Sequence, residues 1–242
     1  MLLVNGVTGS IGRSVLKLAT SRGIPTCGVG RNPSKLSALR DEFPHSHFFS
    51  VHDVADELEA IKTISDLQDR HGDITMYLHA AAFLRRSASP VQTELADFQE
   101  AIRTNLEGTF IWNKQILSHM ISRGVHGVIL NMSSQAARTG GFGSNVAYAT
   151  SKGGVETLTK SFARYGAEFG IRVNAISPGF VDNEMMVDGL NPSQREFFVN
   201  KTLLKRFANN EEVAKVCLFL LSDESSYITA EVLEVSAGQK IG

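Results

Sequence analysis

The sequence lacks the features that mark secreted and nucleic-acid-binding proteins. Its 242 residues include only two cysteines, Cys27 and Cys217, which lie far apart in apolar stretches and are expected to be buried thiols in a reducing compartment. The 24 Lys and Arg residues nearly balance the 25 Asp and Glu residues, so the net charge is -1. No overall positive field would therefore attract nucleic acid or anionic lipid.

Long apolar runs and targeting signals are also missing. No stretch approaches the roughly 20 apolar residues that cross a bilayer. The first residues enter a strand-like run directly, without the basic start and apolar centre of a signal peptide. We therefore expect a cytoplasmic protein that binds neither membrane nor nucleic acid.

What the sequence does contain is a regular alternation of short apolar runs and longer amphipathic stretches, which is typical of βαβ units. Strand-like runs lie at 2–5, 26–29, 47–51, 75–79, 127–132, 172–176 and 232–235. Helical patterns lie near 11–22, 34–42, 55–71, 93–122, 146–169 and 210–221. No linker divides the chain, so the pattern predicts one α/β domain over 1–242, with a doubly wound parallel sheet in a three-layer αβα arrangement.

In such sheets ligands bind beyond the carboxyl ends of the strands, where the strand order reverses. A glycine-rich turn at 5–12 (NGVTGSIG) joins the first strand to the first helix. Its small residues would let backbone N–H groups approach a pyrophosphate at the helix N-terminus. An ordinary tight turn is the alternative, but the position between strand and helix favours dinucleotide binding.

Two residues after the next strands bear on the choice of dinucleotide. Proteins that bind NAD usually carry an acid after the second strand, whereas this chain has Gly30 and Arg31 there. Arg31 can pair with a 2′-phosphate, which favours NADP(H), although a solvated surface arginine is the alternative. After the third strand, Asp53 can accept from an adenine amino group or cap the following helix, and the two roles are compatible.

The candidate chemistry lies in Tyr148 and Lys152, which are four residues apart on one face of a predicted helix. A phenol ordinarily has a pKa near 10, and lowering it to about 7 requires roughly 4 kcal/mol of preferential phenolate stabilisation. A nearby ammonium can supply a good part of this. Such pairs are common on surfaces, so the neighbouring motifs decide the interpretation.

Those motifs follow the fifth and sixth predicted strands. Residues 131–134 (NMSS) end one apolar strand, and 172–179 (RVNAISPG) form another that ends in a turn. The Ser134 hydroxyl could hold a substrate carbonyl oxygen beside Tyr148, while Lys152 could also hold the nicotinamide ribose.

With these motifs in this order over the whole chain, the sequence resembles the short-chain dehydrogenase/reductase family, in its compact single-domain branch of carbonyl and 3-oxoacyl reductases. The resemblance implies a Rossmann-type fold. It implies Tyr148 as general acid/base, Lys152 as its pKa modulator, Ser134 as the substrate-oxygen ligand, and Asn105 as a residue that bends its helix and steadies a proton-relay water. The expected cofactor-binding residues are Gly6, Thr8, Ser10, Ile11, Gly12, Arg31, Asp53, Val54, Ala80, Tyr148, Lys152, Pro178, Gly179, Val181 and Asn183.

Several positions depart from the family pattern. Residues 79–82 (HAAA) replace the usual Asn-Asn-Ala-Gly, Ser10 replaces a glycine, and Asn183 replaces a threonine that touches the carboxamide. Ser134 lies one position further from the tyrosine than in many members, so Ser133 is a possible substitute. None of these changes removes a catalytic group.

The segment 182–204 is expected to be a substrate lid, since flexible apolar Met185 and Met186 suit a partly hydrophobic substrate. Core packing or a subunit interface would give the same composition. Arg85, Arg86 and Arg138 near the expected mouth are either ordinary surface residues or a weak indication of an acidic or carrier-bound substrate.

No metal site is expected. His45, His47 and His52 lie close together, but no Cys or acidic residue completes a ligand set, and solvated histidines are the preferred interpretation.

The leading functional hypothesis is an NADP(H)-dependent oxidoreductase that interconverts a ketone and a secondary alcohol, acting on a small molecule that is free or carrier-bound. A catalytically silent NADP(H)-binding sensor or partner subunit is the alternative, supported by residues 79–82. An enoyl reductase is disfavoured because that branch spaces its tyrosine and lysine differently. The resemblance also implies a homo-oligomer, either tetramer or dimer, packed through the long helices.

Overall fold

The computed structural model describes residues 1–51, 53–141, 145–188 and 190–239. Within these ranges seven parallel strands form one sheet with the order β3-β2-β1-β4-β5-β6-β7. The strands are β1 (Leu2–Asn5), β2 (Thr26–Gly30), β3 (His47–Ser50), β4 (Met76–His79), β5 (Val128–Met132), β6 (Arg172–Pro178) and β7 (Val232–Val235). Each predicted strand is present, with ends that differ by at most two residues.

Helices connect successive strands on the two faces of the sheet. They are α1 (Ser10–Ser21), α2 (Pro33–Glu42), α3 (Glu57–His71), α4 (Leu95–Ala101), α5 (Gly108–Arg123), α6 (Ala136–Thr139), α7 (Val146–Gly166), α8 (Glu184–Val187), α9 (Pro192–Asn200) and α10 (Asn210–Leu221). Side-chain caps explain several starts. Asn32 precedes α2, Asp56 precedes α3, and Asn209 forms a capping box with Glu212 at α10.

Two apolar cores, one on each face of the sheet, hold the layers together. Alternate residues of β1 divide between them: Leu2 and Val4 pack with α1 and α10, whereas Leu3 packs with Trp112 and Ile116 of α5. This division follows from the period of two in a strand, which buries successive side chains on opposite faces. The three-layer αβα fold with a doubly wound, Rossmann-type sheet is confirmed.

The strand order reverses between β1 and β4. The chain runs from β1 outward through β2 and β3, then returns to place β4 on the other side of β1. The carboxyl ends of β1 and β4 therefore flank a crevice, which is where ligands bind in open sheets of this kind.

The helical pattern at 93–122 is not one regular helix. A π-helical turn at Ile102–Glu107 separates α4 from α5. Such turns widen the helix by one residue and frequently occur at functional sites. Among the described helices, none is both long enough and apolar enough for a transmembrane span.

Candidate active site

The glycine-rich turn brings backbone atoms of β1, β4 and α1 closer than side chains would permit. Gly6 has a φ of +82°, and a Cβ there would lie 2.4 Å from the Ala81 nitrogen. A Cβ on Gly12 would lie 2.4 Å from the Gly6 carbonyl oxygen. Helix α1 starts from Gly9, which has no side chain to cap it, so its first-turn N–H groups are available to an anion.

Arg31 and Thr8 lie at the expected adenosine end of the crevice. Arg31 directly follows β2 and is exposed. A Cβ on Gly30 would lie 2.8 Å from the Thr8 methyl carbon, so the glycine lets the turn pack against the end of β2. The guanidinium of Arg31 makes no hydrogen bond or ion pair within the described part of the chain.

Asp53 is engaged by protein groups, and of its two proposed roles the capping of the following helix is wrong. Its carboxylate accepts from the Ala55 N–H at 2.8 Å and pairs with Arg103, whose Nε lies 2.9 Å away. Partial burial opposes the charged form, but these two donors outweigh it and lower the pKa of Asp53. Helix α3 is capped instead by Asp56, which accepts from the N–H groups of Leu58 and Glu59.

Val54 continues this edge of the crevice. Its carbonyl oxygen accepts from the indole N–H of Trp112 at 3.1 Å. A Cβ on Gly108 would lie 2.9 Å from a methyl carbon of Val54, so this glycine allows α5 to approach the loop after β3.

Tyr148 and Lys152 occupy successive turns of α7. The Lys152 Nζ lies 5.6 Å from the centre of the Tyr148 ring and donates to the Met132 carbonyl at 2.6 Å. Lys152 is 1% exposed, and burial lowers the pKa of its ammonium to about 7. Burial raises the pKa of Tyr148 to about 12, although a hydrogen bond with Ser134 acts in the opposite direction.

Burial acts on both members of this pair. The Lys152 ammonium was expected to lower the pKa of the phenol towards 7, whereas burial disfavours the phenolate and the ammonium alike. The ammonium is also directed at the Met132 carbonyl. Tyr148 is consequently a neutral phenol near pH 7, the form that can donate a proton.

The two candidate serines have different surroundings. Ser133 is buried, and its hydroxyl donates to the Glu156 carboxylate at 2.9 Å, with the Lys152 carbonyl 3.3 Å from the same oxygen. Ser134 accepts from the Ala136 N–H at 3.2 Å and lines the same pocket as Tyr148, whose pKa its hydroxyl lowers. Ser134, not Ser133, therefore adjoins the phenol.

Asn105 is fully buried in the π-helical turn. Its amide nitrogen donates to the Phe83 carbonyl and to the Ser151 hydroxyl, each at 2.9 Å, and its amide oxygen accepts from the Phe83 N–H at 2.7 Å. The Thr109 hydroxyl donates to the Asn105 main-chain carbonyl at 2.6 Å. Asn105 thus joins the segment after β4 to α7 beside Lys152.

His79, at the end of β4, is a buried histidine close enough to Lys152 to be affected by its charge, a proximity that sequence reasoning missed. Its Nδ1 lies 2.7 Å from the Tyr77 hydroxyl, and its Nε2 is buried without a hydrogen-bond partner among the described residues. Burial, followed by the Lys152 charge, lowers the pKa of His79 to about 3. A histidine among alanines was the available signal, since the register places it between Asn5 and Asn131 in a buried polar row.

These elements surround one pocket at the carboxyl edge of the sheet. Ten of the expected site residues line it, namely Ser10, Ile11, Gly12, Ala80, Ser134, Tyr148, Pro178, Gly179, Val181 and Asn183. Leu84, Phe180, Met185, Met186 and Phe198 form an apolar part of the lining, called the apolar wall here, and Arg86, Thr139 and Asn145 are among the polar members of the lining. Gly6, Thr8, Arg31, Asp53, Val54, Asn105 and Lys152 lie outside this lining.

Asn183 and the segment 182–204 form the outer side of the pocket. The segment contains the short helices α8 and α9. The Asn183 side chain caps α8 by accepting from the Met186 N–H at 3.1 Å, and its amide nitrogen lies 3.3 Å from Asn210 Oδ1. These contacts engage the amide that was expected to meet a carboxamide.

The three arginines near the mouth are all bonded within the protein. Arg85 pairs with Asp97 at 3.1 Å, and Arg138 pairs with Glu234 and lies 3.6 Å from Glu156. Arg86 donates to main-chain carbonyls of the 182–204 segment. Of the three, Arg86 lines the pocket, and its guanidinium is engaged by those carbonyls.

Of the three clustered histidines, His52 lies outside the described residues. His47 stacks on His71 with ring centres 3.6 Å apart. Desolvation, followed by electrostatic repulsion from the neighbouring His47, lowers the pKa of His71.

Comparison with known proteins gives a consistent answer. A family model described as enoyl-(acyl carrier protein) reductase matches residues 6–240. The chain is 36% identical to glucose 1-dehydrogenase 2 of Bacillus subtilis (strain 168), over 78% of this chain and 73% of that protein. It is 32% identical to a 3-oxoacyl-(acyl-carrier-protein) reductase of Aquifex aeolicus (strain VF5), over 98% of this chain and 95% of that one.

A solved structure agrees in fold over nearly the whole chain. A short-chain type dehydrogenase/reductase from Mycobacterium ulcerans superposes with a TM-score of 0.93 at 26% identity, covering 98% of this chain and 88% of that one. The sequence motifs, the parallel sheet and these relatives together show that this chain is an oxidoreductase of the short-chain dehydrogenase/reductase family.

Proposed function

We propose that this protein is an NADP(H)-dependent ketoreductase that interconverts a ketone and a secondary alcohol. The observation that carries the proposal is that Ser134 and a neutral, buried Tyr148 lie together beside Lys152. The pocket that they line continues to the start of α1, which has no side-chain cap. A protein that only bound the cofactor would need the start of α1 but not this arrangement of Ser134, Tyr148 and Lys152. The silent sensor is therefore the weaker alternative.

The crevice fits a nicotinamide dinucleotide. A Cβ on Gly6 or Gly12 would collide with neighbouring backbone, so both glycines keep open the cradle in which the α1 N–H groups face the pyrophosphate. Thr8, Ser10 and Ile11 would complete it. Arg31 would meet the 2′-phosphate, Asp53 and Val54 would lie at the adenine, and Ala80, Lys152, Pro178, Gly179, Val181 and Asn183 would surround the nicotinamide ribose and ring.

When bound, the reduced nicotinamide would supply the hydride that the carbonyl carbon accepts. Ser134 and Tyr148 hold the substrate carbonyl oxygen between their hydroxyl groups, which orients the carbon. Tyr148 then gives its proton to that oxygen, and the resulting phenolate is stabilised by the Ser134 hydroxyl and the Lys152 ammonium. Asn105 keeps the wall of the site in place through Phe83 and Ser151.

The apolar wall supports a ketone with an apolar substituent more than it supports a polyol. Leu84, Phe180, Met185 and Met186 offer no hydrogen bonds to the hydroxyl groups of a sugar. A 3-oxoacyl chain, the substrate in the name of the Aquifex aeolicus relative, matches this wall. We extend the proposal to 3-oxoacyl thioesters, free or carrier-bound.

A homo-oligomer packed through the long helices is part of the proposal. Phe110 of α5 and Tyr165 of α7 are exposed apolar side chains on these helices. Burying them against a second copy would remove apolar surface from water. Light scattering behind size-exclusion chromatography tests this, and a monomer at micromolar concentration would contradict it.

Steady-state assays with NADPH and NADH test the reaction. A short 3-oxoacyl thioester, the matching 2-enoyl thioester and glucose would be compared as substrates. We expect NADPH-dependent reduction of the 3-oxoacyl thioester. Reduction of the enoyl thioester alone would overturn the proposal in favour of the activity in the family model's description, and tight NADPH binding with no turnover of any substrate would favour the silent sensor.

A further inference from the structure

The guanidinium of Arg86 connects the two walls of the pocket. Arg86 lies on the segment that follows β4, and it lines the pocket next to Leu84. It donates to the main-chain carbonyls of Met186 at 2.8 Å, Asp188 at 3.0 Å and Met185 at 3.1 Å. These acceptors lie about 100 residues further along the chain, on the far side of the pocket.

The chemistry of these contacts is well matched. Helix α8 has four residues, so its last carbonyls have no partners within the helix. A guanidinium presents several N–H groups in a fixed plane, which lets one side chain satisfy three carbonyls, and its positive charge is favourable at the C-terminal end of a helix. A lysine in the same place would offer a single ammonium with no such fork.

Other contacts of the 182–204 segment run along its own side of the pocket. Asp182 pairs with Arg195 at 2.7 Å, within the segment. The Leu203 N–H donates to the Ala237 carbonyl at 2.9 Å, beyond β7. No residue of α8 or α9 is buried, so apolar packing holds these helices less firmly than it holds the sheet.

We propose that Arg86 is a positioning residue that fastens the 182–204 segment as a lid over the pocket and thereby sets the size of substrate that is accepted. With the contacts made, the lid places Met185 and Met186 against the substrate. Without them, α8 moves away from Leu84, and the pocket accepts larger substituents. The selectivity part of this proposal rests on the proposed ketoreductase function, whereas the fastening part does not.

Arg85 provides a matched control. It is the neighbouring arginine on the same segment, exposed, and paired with Asp97 of α4 instead of the lid. Arg85→Met removes the same charge and the same number of donors without touching α8. Arg86→Lys keeps the charge of Arg86 but not the fork, so its effect should fall between those of wild type and Arg86→Met.

Hydrogen exchange measured by mass spectrometry tests the fastening in the whole protein without substrate. Peptides covering 184–188 and 192–200 should exchange roughly 10- to 100-fold faster in Arg86→Met, which loses three charge-assisted hydrogen bonds. Exchange in the sheet should stay unchanged, and Arg85→Met should match wild type throughout. Equal exchange of these peptides in wild type and Arg86→Met would overturn the proposal, as would an equal effect of Arg85→Met. If Arg86→Met does not fold, the same comparison with Arg86→Lys decides the question.

Substrate size tests the selectivity. The ratio of kcat/KM for a bulky aryl ketone to that for a compact ketone should rise about tenfold in Arg86→Met and stay constant in Arg85→Met. A constant ratio in both variants would overturn the selectivity part. Faster exchange in Arg86→Met together with no ketone turnover by wild type would support the fastening while refuting the proposed function.

Discussion

The floor of the pocket and its rim are held in different ways. Asn105 and Lys152, which lie just outside the pocket lining and are called its floor here, are buried, and their own side-chain polar groups reach backbone or side-chain partners at 2.6–2.9 Å. At the rim, α8 and α9 bury no residue and are held by Arg86, Arg195 and helix caps. Burial makes the floor costly to rearrange, whereas the rim can change with the loss of a few hydrogen bonds. This contrast suits a fixed reaction with an adjustable substrate range.

The largest loss of stability should come from the amide at the floor. Asn105→Leu leaves the N–H and carbonyl of Phe83 and the hydroxyl of Ser151 without this partner, so the free energy of unfolding should fall by about 3 kcal/mol. Urea unfolding measures the change. Thr104→Val is the matched control in the same turn, because it removes one hydroxyl that bonds to Glu100, and it should cost under about 1 kcal/mol. Equal losses in the two variants would contradict a special role for the floor.

The buried ammonium of Lys152 should make stability depend on alkaline pH. Its folded pKa of about 7 lies below the ordinary value of 10.5, so the unfolded chain binds the proton more tightly between these values. Stability from this group is therefore full above pH 10.5 and is lost as pH falls towards 7. When the pH is raised from 7 to 9, the free energy of unfolding of wild type should rise by about 2 kcal/mol relative to that of Lys152→Met. Parallel pH curves for the two proteins would show that Lys152 is solvated.

Cofactor choice tests the outer end of the crevice. Arg31→Ala should raise the Kd for NADPH about 10- to 100-fold, since a charge-assisted bond to a phosphate contributes about 1.5–3 kcal/mol, while the Kd for NADH changes little. Isothermal titration measures both. Arg13→Ala is the control, because that guanidinium is already paired with Glu42 near the same helix. If Arg31→Ala raised the Kd values for NADPH and NADH by the same factor, the preference for NADP(H) would be contradicted.

The smallest effect should come from His79. Its folded pKa of about 3 lies below the ordinary 6.5, so stability is full above pH 6.5 and declines as pH falls towards 3. His79→Asn removes this decline. The free energy of unfolding of the variant relative to wild type should therefore rise by about 1 kcal/mol when the pH falls from 7.5 to 5.5. Thermal unfolding at both pH values checks the difference. If the difference in unfolding free energy between the variant and wild type is the same at both pH values, the imidazole is accessible to protons.

Much of the architecture could be predicted from the sequence, because it depends on local periodicity. Apolar runs located all seven strands, and the spacing of Tyr148 and Lys152 placed both on one face of α7. The resemblance also indicated a bend at Asn105, where the structure has a π-helical turn. The sequence pattern alone had predicted one regular helix there, since a single extra residue in a turn barely changes an amphipathic pattern.

The remaining features depend on contacts between distant residues. Arg103 donates a hydrogen bond to the Asp53 carboxylate, which lies 50 residues away in the sequence. The Glu156 carboxylate accepts from the Ser133 hydroxyl, 23 residues away. His79 is neutral because three strands and Lys152 enclose it, a condition that no local pattern expresses. Asp56, not Asp53, caps α3 because it directly precedes the helix, where its carboxylate accepts from N–H groups of the first turn.

Turnover by Tyr148→Phe tests the central proposal most directly. The phenylalanine keeps the ring against Lys152 but removes the proton that the substrate oxygen would receive. We expect kcat for ketone reduction to fall by about 10²- to 10⁴-fold, with the Kd for NADPH within about twofold of wild type. A variant that binds NADPH and reduces the ketone at the wild-type rate would contradict the proposed role of Tyr148 as the proton donor.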